Sequence, residues 1–317
     1  VTYSLARILR LNLEASWRRP LAALALALLP VVSSHAADLD DGNKFLRERE
    51  YAKAVDVFRK KAGAPSALTD FELGVSYERG QGVPQDFKEA ARWYKLSADQ
   101  GFSLAQYNLG VLYQNGRGLA ADINQAAIYY RLAADQGFAL AQFNMGVLYE
   151  NGLGVSQSFE EARAWYRKAA DQGNALAQFN LGVMYHEGRG VSADSREAAG
   201  WYRQAADQGF DMAQYVLALL YYAGQGVERD IEKALAWNRK AADQGYLPAQ
   251  LKLGFVYGLG QGVKQDFLEG SKWFQIAAAN GSAEARRYGF MIEKDMTLDE
   301  MKEVRSRVVE WQRANRK

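Results

Sequence analysis

Apolar residues recur along most of this chain at helical spacing, in short stretches interrupted by glycine. In residues 101–136, Ala105, Leu109, Leu112 and Tyr113 share one helical face, and Gly116-Arg117-Gly118 breaks the pattern. Ala126, Tyr129, Tyr130 and Ala134 define a second face that ends at Gly137. The spacing predicts two helices joined by a glycine-bearing loop. Glycine suits the break because it adopts the left-handed conformation that ends a helix without a Cβ clash. Asp122 reads as the N-cap of the second helix and Gln125 as its capping-box partner. Asp86/Glu89, Ser158/Glu161, Asp194/Glu197 and Asp266/Glu269 repeat that pairing, whereas Asp230/Lys233 keeps the cap alone.

The pattern has a period of 36 residues. Gly80, Gly116, Gly152, Gly188, Gly224 and Gly260 keep it, as do the glycines two positions later and the row Tyr77, Tyr113, Tyr149, Tyr185, Tyr221 and Tyr257. Asp-Gln-Gly recurs at 99–101, 135–137, 171–173, 207–209 and 243–245. Six units fit between Pro65 and Asn280 without an insertion. Neither helix of a unit can bury its apolar stripe alone. Stacking each hairpin on the next buries both, which makes a solenoid.

One unit supplies the family signature. Ala141, Gly146, Tyr149, Gly152, Gly154 and Val155 are followed by Ala162, Trp165, Tyr166, Ala169, Ala170 and Gly173. This pattern resembles the Sel1-like repeat family, a relative of the 34-residue tetratricopeptide repeats with a longer loop between helices. The resemblance covers roughly residues 43–293 and implies an all-α, right-handed superhelix of helical hairpins. Met145, Ala218 and Asn238 depart from the pattern, and Ala218 is expected to loosen the close helix contact that the other first-helix glycines imply. The repeated Asp of Asp-Gln-Gly sits where the helix dipole disfavours it, so a hydrogen bond into the next unit is expected there.

The ends read as caps. Residues 43–61 match a lone second helix, residues 281–293 a partial repeat, and residues 297–317 a capping helix. Thr297 and Glu300 form a capping box ahead of an apolar stripe of Met301, Val304, Val308 and Trp311, which offers a route to oligomerisation.

The first 36 residues break the pattern. Arg7, Arg10, Arg18 and Arg19 precede an apolar run over 21–32, then Ser33-Ser34-His35-Ala36. This is the arrangement of a secretory signal peptide with cleavage before Ala37. The alternative is an inner-membrane anchor through 21–32, although that run is short for a bilayer. The segment carries a net +3 of the chain's +2, leaving about −1 on the solenoid of residues 37–296 and its cap. Export to the bacterial periplasm follows, and membrane contact is confined to the N-terminal segment if it is retained.

Candidate chemistry is sparse. The chain has no cysteine and two histidines, of which His186 alone follows the leader. That removes disulfides, thiolate nucleophiles and multi-histidine metal sites, and no cofactor is expected. A near-neutral charge argues against nucleic acid. The Gly-x-Gly pairs are helix stops without the Gly-Lys-Ser/Thr of a phosphate loop. Some secreted relatives resemble β-lactam-binding or β-lactam-hydrolysing proteins, but those carry a disulfide in each unit.

What varies between units is the surface of the first helices. One row runs Glu72, Asn108, Asn144, Asn180, Val216 and Lys252; another runs Glu78, Gln114, Glu150, His186, Tyr222 and Gly258. Three aligned asparagines offer donor and acceptor groups to an extended peptide. Asn108, Asn144, Asn180, Val216 and Tyr222 are therefore the candidate partner-binding residues, placed in a concave groove. The resemblance implies a non-enzymatic protein-interaction scaffold of the cell envelope. Binding of cell-wall material or exopolysaccharide is the alternative, and it requires Tyr and Trp rings open to solvent.

Overall fold

The computed structural model describes residue 45 and residues 50–61 and 66–315. The signal-peptide reading of 1–36, the anchor reading of 21–32 and part of the first cap lie outside the described residues. The described chain divides between Asn174 and Ala175 into two units.

The first unit holds α1 (Tyr51–Lys61), then hairpins α2 (Ala67–Arg79) with α3 (Phe87–Asp99), α4 (Ser103–Asn115) with α5 (Ile123–Asp135), and α6 (Ala139–Asn151) with α7 (Phe159–Asp171). The second holds α8 (Ala175–Glu187) with α9 (Ser195–Asp207), α10 (Asp211–Ala223) with α11 (Ile231–Asp243), α12 (Leu247–Leu259) with α13 (Phe267–Ala279), then α14 (Ala283–Glu293) and α15 (Leu298–Asn315). Within each unit, helices adjacent in the chain pack on one another, except that the last helix, α15, packs on α13. The fold class is the expected one: all-α, a right-handed solenoid of paired helices.

Local chemistry fixes each hairpin. Gly80, Gly116, Gly152, Gly224 and Gly260 end the first helices at φ of +64° to +67°. The second glycine of each loop has a different task. A Cβ on Gly82, Gly118 or Gly226 would lie 2.4 Å from Tyr51 O, 2.2 Å from Phe87 C or 1.9 Å from Ser195 O. Those loops therefore rest on the start of the preceding hairpin's second helix, where only glycine fits.

The capping boxes are half-built, which differs from the reading above. Asp86 and Asp122 do accept two backbone N–H groups each. Their own N–H groups, however, donate to Tyr77 O at 2.9 Å and Tyr113 O at 3.0 Å, leaving nothing for a glutamate to satisfy. Asp230 works the same way with Lys233 at the third position, its N–H on Tyr221 O at 3.1 Å. The reciprocal box forms at Thr297, whose N–H donates to Glu300 Oε2 at 2.8 Å while Glu300 N–H donates to Thr297 Oγ1 at 3.3 Å.

An amide ladder runs within and between hairpins. Gln100, Gln136 and Gln172 each donate from Nε2 at 2.7 Å to Asp70, Gln106 and Gln142 on the first helix of their own hairpin. In the second unit Gln208, Gln244 and Asn280 donate to Gln178, Gln214 and Gln250 at 2.7–2.8 Å. Gln106, Gln142, Gln214 and Gln250 are buried, and their own amides donate to Ala98, Ala134, Ala206 and Ala242 carbonyls. Burying an amide without partners costs about 1–3 kcal/mol; here each rung satisfies another. The glutamine of Asp-Gln-Gly thus ties the two helices of its own hairpin, and the first-helix glutamine makes the link to the preceding hairpin. Asp99 instead pairs with Lys95 at 2.6 Å and Asp171 with Arg167 at 2.8 Å, each on its own helix.

The first-helix glycines serve close packing, as expected. A Cβ on Gly74, Gly110 or Gly146 would lie 2.5–2.8 Å from the rings of Tyr94, Tyr130 or Tyr166. In the second unit Gly182 and Gly254 meet Tyr202 and Phe274 at 2.6 Å. Where Ala218 replaces the glycine, the ring position is taken by Asn238, and both residues are fully buried. The loosening expected at Ala218 is offset by the smaller partner position.

The C-terminal stripe is covered by the chain itself. The Trp311 ring meets Trp273 edge-on at 5.8 Å, Trp311 Nε1 donates to Asp243 Oδ1 at 2.7 Å, and Val304 is fully buried. It caps the stack, with Met301, Val308 and Trp311 partly buried.

Candidate interaction surface

The first-helix rows can now be placed side chain by side chain. Tyr94, Tyr130 and Tyr166 project from second helices onto the glycines just described, which leaves each hydroxyl at the edge of its own first helix. Each donates to the residue sixteen positions earlier: Tyr94 to Glu78 at 2.5 Å, Tyr130 to Gln114 at 2.6 Å, Tyr166 to Glu150 at 2.7 Å. The asparagines of the other row complete the pattern. Asn108 hydrogen-bonds the Tyr94 hydroxyl, and Asn144 those of Tyr107 and Tyr130. Burial still pushes the Tyr107 phenol up to about 12.

This corrects the expected asparagine ladder. Asn144 is 6% exposed and serves buried tyrosines, so it is closed to an extended peptide. Asn108 is partly buried with the same kind of partner, and Asn180 is partly buried. Val216 is fully buried. It therefore forms no open patch with Tyr222, which is itself partly exposed.

The pattern fails in the first hairpin of the second unit. There the equivalent positions hold His186 and Val216. The Tyr202 hydroxyl and His186 Nδ1 are both enclosed without a hydrogen-bond partner. Burial pushes the Tyr202 phenol well above its usual range and lowers the His186 imidazole, with Glu187 opposing the latter. The hydroxyl of Tyr222 is enclosed and unpaired as well.

Each unit has one conspicuously desolvated charge on its first-helix row. In the first unit, burial pushes the Glu72 carboxyl up to about 7, with Arg79 drawing it back only in part. In the second unit, burial lowers the Lys252 ammonium. Both belong to the variable row read from the sequence, but their desolvation was not legible there. It comes from packing against neighbouring hairpins.

Among the described residues no Tyr or Trp is exposed. Trp165, Trp201 and Trp273 are buried, and Arg131 lies 5.6 Å from the Trp165 ring centroid. The open rings required for stacking on a polysaccharide are not found there. Among the described residues, no group of three or more His, Asp or Glu is placed to hold a metal ion, and no helix is long and apolar enough to cross a membrane.

Comparison with known proteins agrees with this architecture. The Sel1 repeat model matches residues 70–102, 103–138, 139–174, 175–210, 211–246 and 247–282. A Sel1 repeat protein from Oxalobacter formigenes is similar at 31% identity and a TM-score of 0.68, over 76% of this chain and 96% of that one. The protein c5321, described as a protective antigen present in uropathogenic Escherichia coli strains and displaying an SLR fold, is 31% identical with a TM-score of 0.64, over 96% of this chain and 70% of that one. No curated protein matches the chain. Repeat folds of this kind typically act as non-enzymatic scaffolds for protein–protein interaction. With six consecutive matched repeats, the chain belongs to the Sel1 repeat family.

Proposed function

We propose that this chain is an exported interaction scaffold of the bacterial cell envelope that holds a protein or peptide along the first-helix faces of its repeats. The observation that carries this reading is the contrast between rows. Glycine stops, tyrosine anchors and the amide ladder recur from hairpin to hairpin, because packing demands them. The first-helix rows instead change from Glu72 to Lys252 and from Glu78 to Gly258. Varying side chains that keep part of their surface open, such as Glu72, Asn180 and Lys252, are available to encode a partner on that fixed frame. Recognition by shape, charge and hydrogen bonds is then the whole mechanism.

The envelope location rests on residues 1–36, whose arginines and short apolar run suit export. The similarity to a protein described as a protective antigen favours a site outside the cytoplasm. The test is to express the full chain with a C-terminal tag in a bacterial host, fractionate the cells and cross-link in the periplasm. The expected result is a periplasmic product shortened by the leader, with a discrete protein cross-linked to it. A full-length cytoplasmic product would overturn the location, and absence of any cross-linked protein would overturn the scaffold role.

A further inference from the structure

The second unit carries a positive charge that nothing in the unit neutralises. Lys252 lies midway along α12 and is partly buried. Its Nζ sits 5.2 Å from the ring centroid of Tyr222 on α10. Its hydrogen bond is a long one, 3.4 Å to Gln261 Oε1. Burial lowers its pKa and no carboxylate raises it again. An ammonium has three donors, and this one meets a ring face and one amide oxygen.

Tyr222 brings no anion to it. Its hydroxyl is enclosed and unpaired, and the groups that act on its titration are Tyr257 and Tyr215, neither of which is negatively charged at neutral pH. An ammonium without a carboxylate therefore lies beside an aromatic ring whose own hydroxyl is closed off. Leu219, one turn before Tyr222, and Phe255, one turn after Lys252, keep part of their surface open. Partly buried donors in this state favour an incoming acceptor, because a charge-assisted hydrogen bond formed away from bulk water is about twice as strong as a neutral one.

We propose that Lys252, beside the Tyr222 ring, forms a subsite for a single carboxylate of a bound acidic peptide segment, flanked by apolar contacts from Leu219 and Phe255. One ammonium matches the single charge of a carboxylate, whereas a phosphate dianion calls for more than one cation. This assignment rests on the first-helix interaction reading and names the partner chemistry for its second unit.

The test uses the full chain and three fluorescein-labelled twelve-residue peptides of common apolar sequence. One carries a central Glu with an amidated terminus. The second has Gln instead, and the third has Gln with a free C-terminal carboxylate. Binding is read by fluorescence anisotropy. At least one carboxylate peptide should bind about tenfold more tightly than the neutral one, and which one does so distinguishes a side chain from a chain terminus. Lys252→Met should abolish the preference, Lys252→Arg should keep most of it, and Lys240→Met, on the opposite helix, should leave it unchanged. Tyr222→Phe, which removes only the enclosed hydroxyl and keeps the ring, should leave the preference unchanged. Thermal unfolding checks the fold, and Lys252→Met should melt no lower than the parent, since it removes a desolvated charge. Equal affinity for all three peptides, no binding by any, or a preference that survives Lys252→Met would each overturn the subsite. A periplasmic cross-link that persists in such a case would leave the scaffold role standing.

Discussion

Gly182 and the ring of Tyr202 are complementary halves of one contact: a Cβ on Gly182 would lie 2.6 Å from Tyr202 Cε1, and the ring is fully buried. In an open helix, Gly182→Ala would gain about 0.5–1 kcal/mol. Here the methyl has to displace a packed ring, at a cost of about 1–3 kcal/mol. We expect Gly182→Ala to lower stability overall in a denaturant titration. The pair Ala218 and Asn238 shows the compensated form. Gly182→Ala combined with Tyr202→Asn should therefore lose about 1 kcal/mol less than the sum of the single changes; strict additivity would show that the contact is not exclusive.

The tyrosine hydroxyls should divide into two classes. Tyr130 donates to Gln114 at 2.6 Å, so Tyr130→Phe should cost about 1 kcal/mol. The Tyr202 hydroxyl is enclosed without a partner, so Tyr202→Phe should be neutral or stabilising by about 1 kcal/mol. Only the Tyr130→Phe melting curve should fall below the parent's, and equal losses would contradict the pairing described.

These pairings show where the sequence speaks and where it falls silent. The period, the glycine stops and the helix pair were all legible, because each depends on residues close together in the chain. Gly74, Gly110 and Gly146 pointed correctly to close packing, although not to the rings they meet. The role of Gln136 was hidden. Its partner Gln106 lies thirty residues away on the other helix of the same hairpin, and a glutamine in a turn looks solvated until those two helices are packed. Asn144 misled for the same reason. A polar residue on a varying row suggests an open surface, but a buried tyrosine hydroxyl is an equally good customer for an amide. Val216 shows the converse, since its burial became visible only once hairpins were packed.

Capping should depend on the first residue of each pair alone. Asp122 accepts two backbone N–H groups, and its own N–H is bound by Tyr113 O. Asp122→Ala should cost about 1 kcal/mol, within the usual range of lost N-caps. Gln125→Ala should stay within about 0.5 kcal/mol of the parent, as for most surface changes. At the C-terminal helix, where the box is reciprocal, Glu300→Ala should cost more than Gln125→Ala. Chemical denaturation of the four proteins side by side checks the ordering.

Glu72 should make the first unit sensitive to pH. Burial lifts its carboxyl from 4.5 to about 7 in the folded chain. Below 4.5 the group is protonated whether folded or unfolded, and it costs nothing. As pH rises from 4.5 to 7, the unfolded chain releases a proton that the folded chain retains, so stability falls; above 7 the penalty is complete. At 1.36 kcal/mol per pKa unit, the upper bound is about 3 kcal/mol. Glu72→Gln should therefore match the parent at pH 4 and exceed it by up to about 3 kcal/mol at pH 8. Urea unfolding at both values checks this. An advantage for Glu72→Gln at pH 4 that vanishes at pH 8 would mean the carboxylate is stabilised in the fold, and the desolvation argument would fail.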